Sequence, residues 1–396
     1  MQPLTGITVV ALERAIAAPL ATRQLADLGA RVIKIERPGS GDFARHYDTR
    51  ARGLSSHFVW TNRNKLSLTL NLQHQSARAL LHRLVLEQAD VLVQNLAPGA
   101  AARLGLGAAA LRAQRPELIV CDISGYGGDG PYRDRKAYDL LIQSEAGLLS
   151  VTGTPDAPAK AGAPVADIAA GMQAYAGVLA ALLQRQRTGE GQHLDVSMLE
   201  SLADWMGYPM YYTLDGAEPP PRAGAEHATI APYGPFATAD GSTLMLAVQN
   251  EREWLAFCTT VLQQPALADD PRFAGNARRV AAREALHACI DAVLGTLDRA
   301  SLQQRLDDAH IAHAQVNTLA DLWAHPQLQA RRRWRNVPTP AGPVPALLPV
   351  GLPSRTEADD VRMQAVPALG ADTVTLLQSL GVSDDAIESL RAEGAI

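Results

Sequence analysis

Asp167 is the residue of this sequence whose type and position best suit a chemical role. It follows a run of small residues at 162–166 (GAPVA), and an apolar segment with helical spacing begins directly after it. A carboxylate at such a junction can cap the helix, because its oxygen accepts a backbone N–H of the first turn. It can also act as a nucleophile, because the helix N-terminus and amide hydrogen bonds keep it ionised. This stretch alone leaves both interpretations open.

The segments around Asp167 predict the elements that position it. Apolar residues recur at steps of three and four after Asp167, which predicts a long helix. One apolar face of that helix would consist of Ile168, Met172, Tyr175, Leu179 and Leu182. Residues 188–191 (TGEG) end the helix, and alternation over residues 193–197 predicts a short strand.

The first part of the chain predicts a parallel α/β sheet. Residues 7–12 and 31–36 have strand patterns, and residues 17–29 between them have a helical one, which makes a βαβ unit. The turn at 14–19 lacks GxGxxG, so a dinucleotide dehydrogenase is not expected. Further strands are predicted at 90–94 and 118–123, followed by the polar turn 95–99 and the glycine-rich loop 124–130. These turns would lie at the carboxyl edge of the sheet, where such folds bind ligands.

The chain is long enough for two domains, and the pattern of predicted helices and strands changes near residue 216. We expect a large α/β domain over residues 1–215, a proline-rich linker over 216–225 and a small α/β domain over 226–330. Residues 331–396 would form a return segment without helices up to about 370, and a C-terminal helix capped by Ser383 that packs on the large domain. The expected class is therefore α/β, with a Rossmann-like large domain containing a parallel sheet.

Composition narrows the function classes. The net charge of −5 argues against a general nucleic-acid binder. The three cysteines are far apart in sequence, which fits a reducing cytoplasm and neither a disulfide framework nor a zinc site. His310 and His313 have no neighbouring ligands in the sequence, so we expect no metal site. No signal peptide or apolar run of membrane-spanning length is evident, and we expect a cytoplasmic protein without membrane contacts.

Five motifs in this order and spacing resemble the class III CoA-transferases, the family of formyl-CoA transferase and carnitine CoA-transferase. They are LADLGARVIKIERPGSGDFAR (25–45), NRNKLSLTLNL (62–72), ADVLVQNLAPGAAARLGL (89–106), DISGYGGDGPYRDRKAYDLLIQSEAG (122–147) and APVADIAAGM (163–172). The later segment GAEHATIAPYGPFATADG is most similar to the succinate–hydroxymethylglutarate branch. The resemblance implies an interlocked homodimer, with the irregular segments 200–225 and 330–370 able to span the partner.

The resemblance also implies site residues. Asp167 matches the catalytic aspartate, Ala17 lies at the thioester end of CoA, and Arg37 lies at the adenosine phosphate end. The other positions in CoA-contacting segments are Asn71, Leu72, Asn95, Leu96, Arg103, Lys136, Tyr138 and Asp139. The resemblance implies a reaction that moves CoA from an acyl-CoA to a small carboxylic acid through an aspartyl-CoA thioester. The expected donor is succinyl-CoA, and the expected acceptor is a dicarboxylic acid. CoA and acyl-CoA are substrates there, and no cofactor is permanently bound.

Departures from the family pattern keep alternatives open. Ile16 stands where formyl-CoA transferase has glutamine, and no glycine run follows residue 224, so oxalate and formate are not expected as substrates. The superfamily also contains 2-methylacyl-CoA racemases, whose His-Asp pair corresponds to Tyr138-Asp139 here. Tyrosine is a poor substitute for histidine in proton exchange, because its ordinary pKa is near 10. A non-enzymatic CoA-binding protein is the third possibility.

The glycine-rich loop also has a candidate role in the implied reaction. The backbone N–H groups of residues 125–130 could donate hydrogen bonds to the oxyanions that develop during the transfer.

Overall fold

The computed structural model describes residues 2–350 and 361–396. The strands are, in chain order, β1 (Thr8–Leu12), β2 (Arg31–Glu36), β3 (Lys65–Thr69), β4 (Val91–Gln94), β5 (Ile119–Ser124), β6 (Gly153–Thr154), β7 (Ala157–Pro158), β8 (His193–Ser197), β9 (Tyr233–Ala237), β10 (Thr243–Ala247), β11 (Ala312–Gln315), β12 (Trp334–Val337) and β13 (Val344–Leu347).

The helices alternate with these strands. They are α1 (Ala17–Asp27), α2 (Ser56–Thr61), α3 (Gln75–Gln88), α4 (Ala100–Arg103), α5 (Ala108–Gln114), α6 (Asp139–Glu145), α7 (Leu148–Val151), α8 (Val165–Thr188), α9 (Met198–Trp205), α10 (Gly207–Tyr212), α11 (Glu251–Ala256), α12 (Asn276–Ala281), α13 (Arg283–Leu294), α14 (Arg299–Asp308), α15 (Leu319–Trp323), α16 (Pro326–Ala330), α17 (Thr373–Ser379) and α18 (Asp384–Ala392). Ser383 caps α18 as expected, because its hydroxyl accepts the N–H of Ala386.

The chain divides into two compact units. The first unit consists of the described residues of Met1–Ala146, Gly162–Met206 and Pro326–Ile396. The second consists of Gly147–Ala161 and Gly207–His325. The first unit is therefore assembled from three separate parts of the sequence, and the second from two.

A six-stranded parallel sheet with the order β3-β2-β1-β4-β5-β8 forms the centre of the first unit. Side chains alternate across its strands, so each face has its own apolar core. α1, α6, α8 and α9 pack on one face. α3 and α5, together with α17 and α18 from the end of the sequence, pack on the other. The expectation of a Rossmann-like α/β unit with a parallel sheet is confirmed at this level.

The apolar face predicted for α8 is buried only in part. Leu182 is buried, and the half-buried Tyr175 and Leu179 pack against the core. Met172 is 49% exposed, whereas the buried stripe consists of small residues and two branched ones. These residues are Ala166, Ala169, Ala170, Gly171, Ala174, Val178, Ala181 and Leu182. The prediction was based on the spacing of large apolar side chains. α8, however, lies so close to its neighbour α1 that only small side chains fit between the two helices.

The second unit has a three-stranded antiparallel sheet with the order β11-β10-β9. Its apolar core joins Phe236 and Leu244 of the sheet to Trp254, Leu286 and other residues of the surrounding helices. A two-stranded hairpin, β6–β7, also belongs to this unit.

Three other expectations differ from the structure. Residues 330–370 contain the antiparallel hairpin β12–β13, which their proline content concealed, while residues 351–360 lie outside the described part. The sequence after Lys136 predicts one helical segment up to Leu149, but that segment breaks at Gly147, which has φ +77° and separates α6 from α7. The sequence also predicts one helix over residues 251–262, but the structure changes after α11 into a π-helical turn, Phe257–Val261.

α8 also corrects the expectation that the sequence has no apolar run of membrane-spanning length. In the described residues it is the one helix long and apolar enough to cross a membrane by length and composition. Of the 18-residue apolar stretch of α8 that meets this criterion, 44% is buried within the structure. Core helices pass the same test, and α8 packs in such a core.

Candidate active site

Asp167 lies in the first turn of α8, as its third residue. The N-cap is Pro164, and no side chain caps the helix from that position, so the interpretation of Asp167 as the cap of its own helix is wrong. The backbone N–H of Ala17, the first residue of α1, donates to the Asp167 carboxylate instead. The carboxylate thus lies at the N-termini of two helices, and both favour its charged form.

Asp139 caps α8 from a neighbouring helix. Its Oδ1 accepts the N–H groups of Ala166 at 2.8 Å and of Asp167 at 3.3 Å. Its Oδ2 accepts Nε2 of Gln143, one turn further along α6, at 2.6 Å. Asp139 therefore fixes the backbone at Asp167 and brings a second carboxylate close to it.

The surroundings raise the pKa of the Asp167 carboxyl to about 7. Burial is the main cause, and the nearby charge of Asp139 adds to it, while the N–H of Ala17 acts in the opposite direction. A carboxylate with a pKa near 7 is a better nucleophile than an ordinary one and still ionises near neutral pH.

A close helix crossing brings Ala17 and Asp167 together. A Cβ added at Gly171 of α8 would lie 2.7 Å from the carbonyl oxygen of Ala17 and 3.3 Å from the side chain of Leu20. Real Cβ atoms do not tolerate the first distance, so glycine is required for α1 and α8 to approach this closely. The buried side chain of Ala17 is likewise small, which explains its place at the crossing.

The loop between β1 and α1 has an unusual backbone that other residues hold in place. Ala15 has φ +60°, a conformation that non-glycine residues rarely adopt. Its N–H donates to Oδ1 of Asp42 at 3.2 Å. The side-chain amide of Asn95 donates to the carbonyl of Arg14 and accepts its N–H, both at 2.9 Å. The loop that presents Ala17 is thus fixed from two sides.

A cavity of about 360 Å³ opens beside this loop, at the carboxyl edge of the sheet. Of the residues implied by the family resemblance, the cavity brings together Arg37, Asn71, Leu72 and Leu96. Arg14 from the loop also lines it. Arg37 is exposed, so its guanidinium can meet an anion in the cavity.

Other residues implied by the resemblance are placed differently. Arg103 lines a separate cavity of about 610 Å³ beside α3. Lys136 and Tyr138 are exposed on the segment before α6, with Tyr138 at 65% exposure. Asn95 uses its side chain to bind the backbone of Arg14 and does not line the 360 Å³ cavity.

Asn71 lines the cavity but is bound to the C-terminal segment. Its backbone N–H donates to the carbonyl of Ala395 at 2.8 Å, and its side-chain amide donates to the carbonyl of Gly394 at 3.1 Å. Its Oδ1 accepts the N–H of Gln73 at 3.2 Å. The side chain therefore shapes the wall of the cavity through contacts within the protein.

Two N–H groups of the glycine-rich loop 125–130 are not available as oxyanion donors, contrary to expectation. The N–H of Gly127 donates to Oγ of Ser124 at 2.9 Å, and that of Gly128 donates to Oδ2 of Asp195 at 2.8 Å. The N–H of Ala17 is better placed for this role, because it already contacts the Asp167 carboxylate.

Tyr47 is a residue of this site that sequence reasoning missed. Burial, followed by the charges of Asp42, Asp167 and Tyr138, raises its pKa to about 12. Its ring meets His57 edge-on, with centroids 5.2 Å apart. A single aromatic residue in an irregular segment carries no periodic signal, so only the fold shows that it lies near Asp167.

Within residues 2–350 and 361–396, no cluster of three or more His, Cys, Asp and Glu side chains could hold a metal ion. His313 contacts the backbone carbonyl of Ile311 through Nδ1 at 3.1 Å.

Comparison with known proteins assigns the family. The family model of CoA-transferase family III matches residues 4–373. The chain belongs to CoA-transferase family III. This confirms the resemblance found in the sequence motifs and the expected enzyme class, EC 2.8.3.-.

Relatives and a solved structure agree with this assignment. The chain is 38% identical over 343 residues to a succinate–glutarate CoA-transferase of Agrobacterium fabrum, covering 83% of this chain and 84% of that protein. It is 32% identical over 406 residues to a succinyl-CoA:glutarate CoA-transferase of Mus musculus, covering 100% and 91%. The crystal structure of a CAIB/BAIF family protein from Brucella suis has a TM-score of 0.82 and 35% identity, covering 96% and 99%.

Proposed function

We propose that this enzyme transfers CoA from succinyl-CoA to a small dicarboxylic acid through a thioester formed on Asp167. The observation that carries this proposal is the position of the Asp167 carboxylate, which receives the N–H of Ala17 and stands at two helix N-termini. The names of the relatives support succinyl-CoA as donor and a dicarboxylate such as glutarate as acceptor. Arg14 and Arg37 supply cations at the cavity for the phosphates of CoA.

The chemistry begins with attack of the Asp167 carboxylate on the thioester carbonyl. The C–S bond breaks, which gives an aspartyl–acyl anhydride and the CoA thiolate. The thiolate then attacks the aspartyl carbonyl, the first acid leaves as its carboxylate, and a thioester joins Asp167 to CoA. The acceptor carboxylate repeats these steps in reverse order. Because the free energy of the thioester is kept throughout, the reaction needs no ATP.

The N–H of Ala17 acts at two points of this sequence. It stabilises the charged carboxylate of Asp167 before the reaction. When CoA thiolate attacks the aspartyl carbonyl, negative charge develops on an oxygen of the same group. A fixed N–H donor at that oxygen stabilises the transition state without reorganisation.

The decisive experiment compares Asp167→Asn with the wild type, using succinyl-CoA and a panel of dicarboxylates. The amide should lose nearly all turnover while the fold and CoA binding survive, because it cannot form the anhydride. Asp90→Asn is the matched control: Asp90 is a partly buried aspartate bonded to Thr8 and Arg185 at the opposite edge of the sheet, and should keep turnover.

A chemical trap tests the intermediate itself. Wild-type enzyme given succinyl-CoA and then hydroxylamine should lose activity, because hydroxylamine captures the thioester as a hydroxamate. Peptide mass mapping should locate that hydroxamate at Asp167. An inactivated enzyme with unmodified Asp167, or near-normal turnover of Asp167→Asn, would falsify the covalent mechanism.

The raised pKa of Asp167 also suits proton transfer, which keeps a 2-methylacyl-CoA racemase as the second candidate. Racemisation needs a second acid–base group, and Tyr138 occupies the position of the histidine in that branch. Incubation of a 2-methylacyl-CoA with the enzyme in D2O distinguishes the two. Deuterium uptake at the carbon next to the carbonyl, without transfer of CoA, would favour the racemase.

We also propose a homodimer in the cytoplasm. Large apolar side chains of the second unit are exposed around α10, with Tyr211 at 79% and Met210 at 59% exposure. Such groups are seldom left in water and often mark interfaces. Sedimentation at nanomolar concentration should show a dimer, and a folded monomer at that concentration would contradict the proposal.

A further inference from the structure

The loop between β1 and α1 presents the N–H of Ala17 to Asp167, and two fully buried lysines bind the backbone on either side of Ala17, one in the loop and one in the first turn of α1. Lys34, in the middle of β2, contacts the carbonyl oxygen of Glu13 with Nζ at 3.3 Å. Lys65, at the start of β3, donates to the carbonyl of Pro19 at 2.9 Å. One lysine therefore holds the chain before Ala17 and the other holds it after.

Two carboxylates join these lysines into one cluster. Glu13 receives Lys65 at 2.6 Å and Lys34 at 3.4 Å on the same oxygen, Oε1. Asp42 receives Lys34 at 2.9 Å on Oδ2, and its Oδ1 accepts the N–H of Ala15 at 3.2 Å. The cluster thus reaches the loop at Glu13 and Ala15, and the first turn of α1 at Pro19.

Stability alone does not explain this arrangement. Removing charges from water costs several kcal/mol per ion, so buried ion pairs contribute little net stability and are often replaceable by apolar residues. Burial opposes the ionisation of Glu13, but the charges of Lys65 and Lys34 outweigh it and hold the pKa of Glu13 below its ordinary value. What the charges do provide is directional bonding to a loop that contains the strained Ala15.

We propose that Lys34, Lys65, Glu13 and Asp42 form a positioning cluster that holds the N–H of Ala17 against the carboxylate of Asp167. The inference rests on the proposed role of Asp167 as nucleophile. The four residues act through the loop and take no part in bond making. Without the cluster, the N–H of Ala17 can move away from Asp167. The Asp167 carboxylate then loses a hydrogen-bond donor that stabilises its charge.

The test is the pH profile of kcat/KM, whose acid limb reports ionisation of the nucleophile in the free enzyme. The groups facing Asp167 are Asp139 on α6, Tyr47 and the N–H of Ala17. The double variant Lys34→Met with Asp42→Ala removes one positive and one negative charge, so no unpaired ion is left. Its acid limb should move to higher pH by about one unit, the effect of losing one hydrogen bond to a charged group.

A conservative variant and a matched control separate positioning from general damage. Lys34→Met with Asp42→Asn keeps an oxygen for the N–H of Ala15, so its shift should be smaller but measurable. Arg63→Met with Asp27→Ala breaks a comparable buried pair at the other end of α1, where Arg63 bonds Asp27 at 2.6 and 2.9 Å. This control should lower the melting temperature without moving the acid limb.

The outcomes are distinct. An unchanged acid limb in a folded cluster variant overturns the positioning role, and if the alanine variant does not fold, the asparagine variant decides alone. A shift of equal size in the Arg63 control overturns it as well. Asp167→Asn is measured in parallel: if that variant turns over normally, the proposed function itself fails, whatever the acid limbs show.

Discussion

Replacing Asp167 by asparagine should stabilise the folded protein at neutral pH, and the gain should increase between about pH 4 and pH 7. The folded carboxyl has a pKa of about 7, whereas an unfolded aspartate has one near 3.9. Between these values the unfolded chain carries the charge, while the folded site must bind a proton. The unfolded state therefore binds fewer protons, and the stability of the wild type falls as the pH rises through this window.

The magnitude follows from the size of the pKa difference. Three pH units at 1.36 kcal/mol each set a ceiling of about 4 kcal/mol. Asp167 is only partly buried, and solvent screens part of the cost, which reduces the expected gain to about 1–3 kcal/mol above pH 7. Asparagine has almost the same shape, and its oxygen can still accept the N–H of Ala17, so no cavity is created.

The assay is thermal unfolding of wild type and Asp167→Asn at constant ionic strength from pH 4.5 to pH 8.5, roughly the window in which the linkage acts. The difference in melting temperature should be small at the acidic end, rise with pH and level off above the folded pKa. A difference that is constant or falls with pH would refute the raised pKa and the argument that burial and Asp139 cause it.

The remaining predictions address the same site from other sides. Asp139→Asn keeps an oxygen for the N–H groups of α8 but removes a charge, so the acid limb of kcat/KM should move to lower pH; movement to higher pH would contradict the electrostatic argument. Gly171→Ala should cost about 1–3 kcal/mol in thermal unfolding and lower kcat, because it separates α1 from α8. Gly177→Ala in the same helix meets only a flexible leucine at 3.4 Å and should be neutral or stabilising by up to about 1 kcal/mol; equal losses in both variants would show that the crossing is not special. Arg37→Ala should raise KM for several acyl-CoA donors alike in steady-state assays, and an effect on one donor alone would place Arg37 at the acyl end.

The sheet could be predicted from the sequence because its signal is local. β2 and β8 have the bounds expected from alternation, β1 and β4 begin one residue later than expected, and β5 is shifted by one residue. β3 was not predicted. The helix after Asp167 was also predictable, but its predicted apolar face is buried only in part. A pattern built on large apolar residues favoured Met172, whereas the close crossing at Gly171 selects small ones.

The site was predictable only in part, for the same physical reason. Asp167 and Arg37 belong to motifs, so sequence reasoning found them. The partners that tune Asp167 come from distant segments: the N–H of Ala17 is a backbone group, and the cap supplied by Asp139 depends on how α6 meets α8. Lys34 gave no signal either, because an alternating strand with a lysine predicts a half-exposed position.

The arrangement of the first unit has a consequence for the order of folding during synthesis. α17 and α18 cover one face of the parallel sheet, and residues 394 and 395 bind Asn71, yet all of them are translated after the whole second unit. The second unit can complete its core while the sheet still exposes an apolar face on the ribosome-bound chain. Chaperones that recognise apolar strands should therefore engage the nascent chain between residues 206 and 373, and release it when α17 and α18 dock.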